Sequence, residues 1–240
     1  MKIAVLTKGY SHHKYFISQL SNSFEVELIV KEKKSISPPF NTYHPYQEKE
    51  ALYEKEVLLK NVNVRLADIS KTIESNNIND NVVLLSVKNI KPDIIIAIGT
   101  GYIKSPLIEI CPSGFTNLHG GDPEYYRGVH NFLWTMYHKD FDKLLVTLHR
   151  VNKDLDDGDI IKRDKVKILK NMEIFQFRSE QIKTCLDIVT SSISLYEKNG
   201  EFLSKPQKQK GRYYSFMPSA LKEIAINNFN KFISGGLFNN

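Results

Sequence analysis

The stretch "PDIIIAIGT", residues 92–100, sets the fold class. Ile94, Ile95, Ile96, Ala97 and Ile98 follow one another with no polar residue between them, so a strand here is apolar on both faces. Such strands belong to parallel sheets with helices on each side, because a sheet with one wet face alternates apolar and polar residues. Pro92 ends the helical pattern of residues 80–90 ("DNVVLLSVKNI"), and Gly99 with Thr100 closes the strand. Upstream, "KIAVLT" and "EVELIVK" are runs of the same kind, and "SHHKYFISQLSN" between them reads as the first helix. These runs and the helix between them predict an α/β domain with a largely parallel open sheet.

Residues 33–79 begin irregularly with "KKSISPPFNTYHPY" and turn helical through "QEKEALYEKEVLLKN". Further on, Ser105 and Pro106 open a short helix, a strand leads to residue 119, "NFLWTMYHKDF" is a helix and "KLLVTLHRV" a strand. Ile182, Cys185, Leu186, Val189 and Ile193 recur at helical spacing and predict one long amphipathic helix. After it, "GEFLSKPQKQKGRYYSFM" has two apolar or aromatic runs parted by Pro and Gly, the pattern of a hairpin. The expected division is a catalytic domain over residues 1–165 and a smaller helix-plus-hairpin appendage over 166–240.

At 41% hydrophobic, 240 residues suffice for a proper core. No apolar run approaches the ~20 residues that span a bilayer, and "MKIAVLTKGY" lacks the long apolar centre of a signal peptide, so a cytoplasmic protein with no membrane partner is expected. Cys111 and Cys185 have no companion Cys or His at ligand spacing, which argues against a disulfide framework or a zinc site. The net charge is +6, and residues 201–240 carry six Lys or Arg against Glu201 and Glu223. "SKPQKQKGR" reads first as a solvated loop. Lys8, His12, His13 and Lys14 lie at the mouth of the first helix, whose N-terminus favours anions, and a diphosphate is expected there.

Residues 115–128, "FTNLHGGDPEYYRG", hold the chemistry. Asn117 and His119 are i and i+2 on a strand and so face one side of the sheet, at the strand end where open α/β folds bind ligands. An imidazole handles a proton and an amide donates to a developing oxyanion. "LHRVNKDLDDGDII" adds His149 and four acids, Asp154, Asp156, Asp157 and Asp159, most of them read as turn residues. One carboxylate buried beside an imidazole would raise its pKa. No His-x-x-x-His or Glu-x-x-His pair argues for a metal, and no Ser elbow or Cys adjoins the Asn–His pair.

"NLHGG" with "YRG" close behind, then "VTLHRVNKDLDDGDII", resembles the 10-formyl-tetrahydrofolate-dependent formyltransferases, over about residues 80–165. The resemblance implies a formyltransferase-type Rossmann-like sheet, with Asn117, His119 and Asp156 as the catalytic trio and His149 in support. Asp156, not Asp157, matches the acid that directly follows a Leu two positions before a Gly. The loop carrying Gly99, Gly101, Tyr102 and Lys104 matches the one that recognises the folate.

Gly120, Gly121, Asp122 and Pro123 replace the Ser-Leu-Leu-Pro of many members. With "GRYYSFMP", the string "NLHGGDPEYYRG" is similar to the sugar N-formyltransferases acting on nucleotide-linked 4-amino-4,6-dideoxyhexoses. That subgroup implies a dTDP-linked amino-sugar as acceptor, a product for O-antigen or other surface polysaccharide, no nucleic-acid partner, and a homodimer. Tyr213, Tyr214, Phe216 and Met217 put aromatic or apolar groups on both faces of the hairpin's second strand, which makes the hairpin the expected contact. Gly121, Asp122, Tyr126 and Arg127, with Lys8, His12 and Lys14, are the residues expected to meet this acceptor. Against the other branches, "TKGYSHHK" lacks the phosphate loop of the glycinamide ribonucleotide enzymes, and the sequence holds no large C-terminal domain of the methionyl-tRNA type. The alternative from another class is a basic nucleotide- or RNA-binding module, which accounts for the charge and leaves the trio unexplained.

Overall fold

The computed structural model describes residues 1–35 and 37–235. A seven-stranded sheet runs through it, built from β1 (Ile3–Thr7), β2 (Val26–Glu32), β3 (Thr72–Ser75), β4 (Ile94–Ile98), β5 (Phe115–His119), β7 (Leu145–Arg150) and β8 (Ile160–Lys165) in the order β3-β2-β1-β4-β5-β7-β8. The first five strands pair in parallel, and β7 and β8 add in antiparallel fashion. The sheet is therefore α/β, open and mostly parallel, as the apolar runs predict. β3 and β8 escape sequence reading because both are edges: "TIES" and "IIKRDK" carry the charges that edge strands tolerate.

Alternation along the buried strands sorts the core into two layers. Ile3, Val5, Ile94 and Ile96 face α1 (Ser11–Ser21), α6 (Asn131–His138), α7 (Ile174–Asn199) and α8 (Ser219–Ser234). Ala4, Leu6, Ile95 and Ala97 face α4 (Asn81–Ile90) and α5 (Ser105–Ile108). Between β2 and β3 lie α2 (Tyr46–Tyr53), which runs on into a π-helical turn at Glu54–Leu58, and the short α3 (Leu66–Ile69). Among the described residues no helix is long and apolar enough to cross a membrane.

The C-terminal hairpin is not formed. Residues 201–217 contribute one strand, β9 (Arg212–Tyr214), which pairs in parallel with β6 (Tyr126–Gly128) as a separate two-stranded sheet. The other run contributes only a bridge from Lys205 to Ile160 on β8. Existing partners decide the outcome: Tyr214 stacks on Tyr126 with centroids 5.4 Å apart, Met217 is fully buried, and Phe216 meets His130. Tyr213 is the one aromatic of this run that stays largely exposed, at 58%. Helix α8 is an addition to the expected appendage; it buries Ala225 and Phe229, one turn apart, and packs Phe232 on Phe141 at 4.0 Å. The α7 helix, beyond residue 165, buries Phe177, Ile182 and Val189 in the same core as β1 and β4.

Candidate active site

Successive connections lead from β1 to β2 and β3 on one side, then return to β4 and β5 on the other. This reversal leaves a crevice at the carboxyl ends of β1 and β4, where open α/β sheets take ligands. A cavity of about 470 Å³ occupies it. Its walls come from Tyr10 and the first turn of α1 (His12, His13), residues 99–103 after β4, residues 117–120 at the end of β5, and Asn152 with residues 154–156. Gly99 is required at this rim: its φ is +65°, and a Cβ would come within 2.7 Å of the His13 ring.

The antiparallel register of β7 sets His149 directly across from Asn117. His149 Nδ1–H donates to the Arg150 carbonyl at 2.8 Å, which leaves Nε2 to accept from the Asn117 amide at 3.1 Å. Burial first, and then the charge of His119, push the His149 pKa down to about 4, so it is a neutral acceptor near pH 7. One Asn117 N–H is thus held by His149, and the other has no partner among the described residues and is free for a ligand oxygen in the cavity.

His119 is 4% exposed and lies between two acceptors: Asp156 Oδ1 at 3.4 Å from Nδ1, and the Tyr126 carbonyl at 2.7 Å from Nε2. Either neutral tautomer leaves one acceptor without a proton, whereas the imidazolium serves both. Burial alone would lower the His119 pKa, but the Asp156 carboxylate, with the Tyr126 carbonyl and Asp122, more than offsets it, and the net direction is upward. Asp156 moves the opposite way: burial favours its neutral form, yet His119, His149 at 3.8 Å and the Gly128 N–H at 2.8 Å hold the carboxyl well below the usual range.

The loop that delivers Asp156 is pinned from several sides. Asp156 has a left-handed backbone, φ +49°. Arg127 donates through Nε to the Leu155 carbonyl at 2.9 Å, and Gln207 donates to the carbonyls of Asp156 and Gly158 at 3.0 and 2.9 Å. A side chain at Gly158 would put Cβ 1.8 Å from the Arg150 carbonyl oxygen, so the turn admits only glycine. Asp157, the rejected neighbour, points to Lys210 at 3.9 Å.

The structure brings together Asn117, His119, Asp156 and His149, with Gly99, Gly101, Tyr102 and His12 on the same cavity. It places the other expected residues elsewhere. Lys8 is spent on a buried ion pair with Glu32 at 2.8 Å; that carboxylate also accepts from the Gly101 N–H at 2.8 Å, so Lys8 supports the Gly101 loop from a place off the cavity wall. Lys14 and Lys104 lie off the cavity walls. Asp122 is buried under Arg163 at 3.1 Å, Tyr126 turns its hydroxyl to Asp140, Gly121 packs against Asn131, and Arg127 serves the Leu155 loop. These four shape the loop instead of lining the cavity. Sequence reading passes over Asn131, whose Nδ2 is 3.0 Å from His119 Nε2, and Arg178 and Gln181, which share a face of α7 at i and i+3. No local signal sets these two apart, because α7 carries polar residues along its length, among them Gln176, Glu180 and Lys183.

A charge-paired imidazole beside an anchored amide, at the switch point of an α/β sheet, is the constellation of an acid–base group transferase with an oxyanion donor. The family model described as Formyl transferase matches residues 1–181, and the chain belongs to that family. A methionyl-tRNA formyltransferase of Ruminiclostridium cellulolyticum is 23% identical over 146 residues, covering 60% of this chain and 46% of its own. The chain spans about half the length of the curated relatives it matches. Three solved structures share the fold. HypX from Aquifex aeolicus has a TM-score of 0.62 at 14% identity, covering 99% of this chain and 36% of its own. A 4-N formyltransferase from Francisella tularensis has 0.59 at 16%, covering 94% and 86%. The formyltransferase PseJ from Anoxybacillus kamchatkensis, in complex with UDP-4,6-dideoxy-4-formamido-L-AltNAc and tetrahydrofolate, has 0.50 at 18%, covering 90% and 86%.

Proposed function

We propose that this chain transfers the formyl group of 10-formyl-tetrahydrofolate to the amino group of a nucleotide-linked 4-amino-4,6-dideoxyhexose, dTDP being the nucleotide. The observation that carries the transfer chemistry is the His119–Asp156 pair beside the anchored Asn117 amide. Gly99, Gly101 and Tyr102 hold the folate, in a rim whose backbone is tied down by Glu32. The bound folate supplies the activated formyl group. Around it, the free Asn117 N–H donates to the oxygen that gains charge as the amine adds to the formyl carbon. As the bond from that carbon to the folate nitrogen breaks, the amine sheds a proton and the folate nitrogen takes one up, and His119 carries the proton between them. Asp156 sets the proton affinity of His119, and the Tyr126 carbonyl orients the ring.

The sugar acceptor is supported by the two strings that mark the subgroup. "YRG" and "RYY" are β6 and β9, hydrogen-bonded to each other beside the cavity, with Gly128 and Tyr213 on its wall. It is supported also by the names of two fold neighbours, a 4-N formyltransferase and PseJ with its formamido-sugar nucleotide. The curated relatives favour a second reading, formylation of methionyl-tRNA. Release of tetrahydrofolate, monitored with 10-formyl-tetrahydrofolate and in turn a dTDP-4-amino-4,6-dideoxyhexose, glycinamide ribonucleotide and methionyl-tRNA, separates these. Turnover with the sugar alone is expected. Turnover with methionyl-tRNA alone replaces the sugar reading, and none with any amine leaves the non-catalytic basic module.

A further inference from the structure

Arg178 carries the only permanent positive charge on the cavity wall among the described residues, and nothing in the transfer chemistry above uses it. It projects from the second turn of α7 and is a quarter exposed, to the cavity. Its Nε lies 3.3 Å from Glu50 Oε1, a charge contact whose geometry leaves both atoms without a directed hydrogen bond. Among the described residues the guanidinium has no other ion pair within 4 Å. Its Cζ lies 5.8 Å from the centre of the Phe132 ring, itself stacked on Phe177, so the group rests on rigid aromatic packing. A planar fork of donors, fixed from behind and short of acceptors in front, matches the oxygens of a phosphate or carboxylate.

We infer that Arg178 is the residue that binds the anionic group of the amine acceptor, and that this chain therefore selects amines carrying a phosphate or carboxylate. The inference rests on the acceptor reading above in taking this cavity as the place where the amine reacts. Position along α7 agrees with it. Gln181 touches the Gly120 carbonyl at 3.2 Å, next to His119, and Arg178 stands three residues back on the same face of α7, ~4.5 Å along the helix. In a nucleotide-linked 4-amino-hexose the anomeric phosphate lies across the ring from the amine, which gives that separation a chemical meaning. Two carboxylates sit behind the guanidinium. Burial, which outweighs the attraction of Arg178, pushes the Glu50 carboxyl up to about 7, and Glu54 is raised as well, so neither neutralises Arg178 fully.

Calorimetric titration of the protein with dTDP, pyrophosphate and acetate tests the assignment without depending on turnover. The expected result is that Arg178→Gln binds dTDP about 10- to 100-fold more weakly than the parent, the loss of one or two charge-assisted bonds, with tetrahydrofolate binding unchanged. Arg178→Lys recovers part of the affinity, as a point charge without the fork. Because Arg178→Gln strands two buried carboxylates, Glu50→Gln is the second variant. It removes the counter-charge while keeping the shape, and it is expected to bind the anion more tightly. Retained anion affinity in a folded Arg178→Gln, no anion binding by the parent, or unchanged or weaker binding by Glu50→Gln each overturns the assignment. Pyrophosphate and acetate distinguish phosphate from carboxylate recognition. A parent protein that binds dTDP through Arg178 but fails to formylate the amino-sugar rejects the acceptor reading alone. One that formylates the sugar with the same KM after Arg178→Gln rejects this assignment alone.

Discussion

Replacing Asp156 with asparagine removes a charge and keeps the shape, and its consequences can be worked from the hydrogen bonds around it. Asp156 accepts from the Gly128 N–H at 2.8 Å and faces His119 Nδ1 at 3.4 Å. In the Asp156→Asn variant the side-chain carbonyl oxygen takes the Gly128 N–H, which turns the new NH₂ toward His119 Nδ1. That nitrogen must then be an acceptor, so His119 becomes the neutral Nε2–H tautomer and still donates to Tyr126. With the carboxylate gone, burial, the largest influence, is opposed only by the Tyr126 carbonyl and Asp122, and the ring's pKa is expected to drop below the ordinary ~6.5. The proton held near neutral pH is lost, and with it acid–base assistance worth about 10²- to 10⁴-fold in kcat/KM. The losses in stability are smaller, about 1.5–3 kcal/mol for a hydrogen bond to a charged group, because the histidine sheds its charge instead of remaining unpaired.

The pair also has a signed pH dependence. His119 is raised, so its share of stability is complete below ~6.5 and disappears as pH climbs through the folded value; Asp156 is depressed, so its share is present above ~3.9 and disappears as pH falls toward the folded value. Asp156→Asn removes the benefit across the window between. Single-turnover formyl transfer measures the rate, ¹⁵N NMR of the histidine side chains reports the tautomer and its pKa, and thermal melts against pH report the stability. Transfer within about threefold of the parent, where at least 10²-fold is expected, or a His119 resonance that still titrates above ~6.5 would refute the reasoning.

Asn117→Ala is expected to lower kcat about 10²- to 10³-fold, with folate affinity unchanged by fluorescence titration. His149→Phe should lower kcat through the same amide, so that a double-mutant cycle with Asn117→Ala shows the second loss largely absorbed in the first; additive losses would detach His149 from Asn117. Lys8→Met, which strands Glu32 in the interior, should cost about 3–5 kcal/mol in chemical denaturation while the KM for the nucleotide-sugar holds steady. Light scattering at micromolar concentration is expected to give a dimer mass that persists in Tyr213→Ser; a monomer mass for the parent ends the dimer proposal, and a monomer only in the variant returns the contact to β9.

What the residues alone determined was whatever depends on neighbours in the chain. The uninterrupted apolar run Ile94–Ile98 has one comfortable environment, the middle of a parallel sheet, and from it come the fold class and the place of the site. Asn117 and His119 share a side of β5 because strand geometry repeats every two residues, wherever that strand lies. What tertiary structure decided was which partner each polar side chain meets. Asp156 stands out among four acids by its place between Leu155 and Gly158, but the pinned turn at Gly158 is what delivers it to the imidazole. His149 became the anchor of Asn117 through an antiparallel register that no local pattern encodes. Lys8 looked like a diphosphate ligand until Glu32, on the neighbouring strand, claimed it, whereas Arg178 reached the cavity from a helix more than fifty residues beyond β5. The apolar run at residues 212–217 found Tyr126 and His130 as partners and so made no hairpin. Local periodicity prescribes which way a side chain faces; which charge or ring it meets is set by long-range packing, where the energies of burial and pairing are decided.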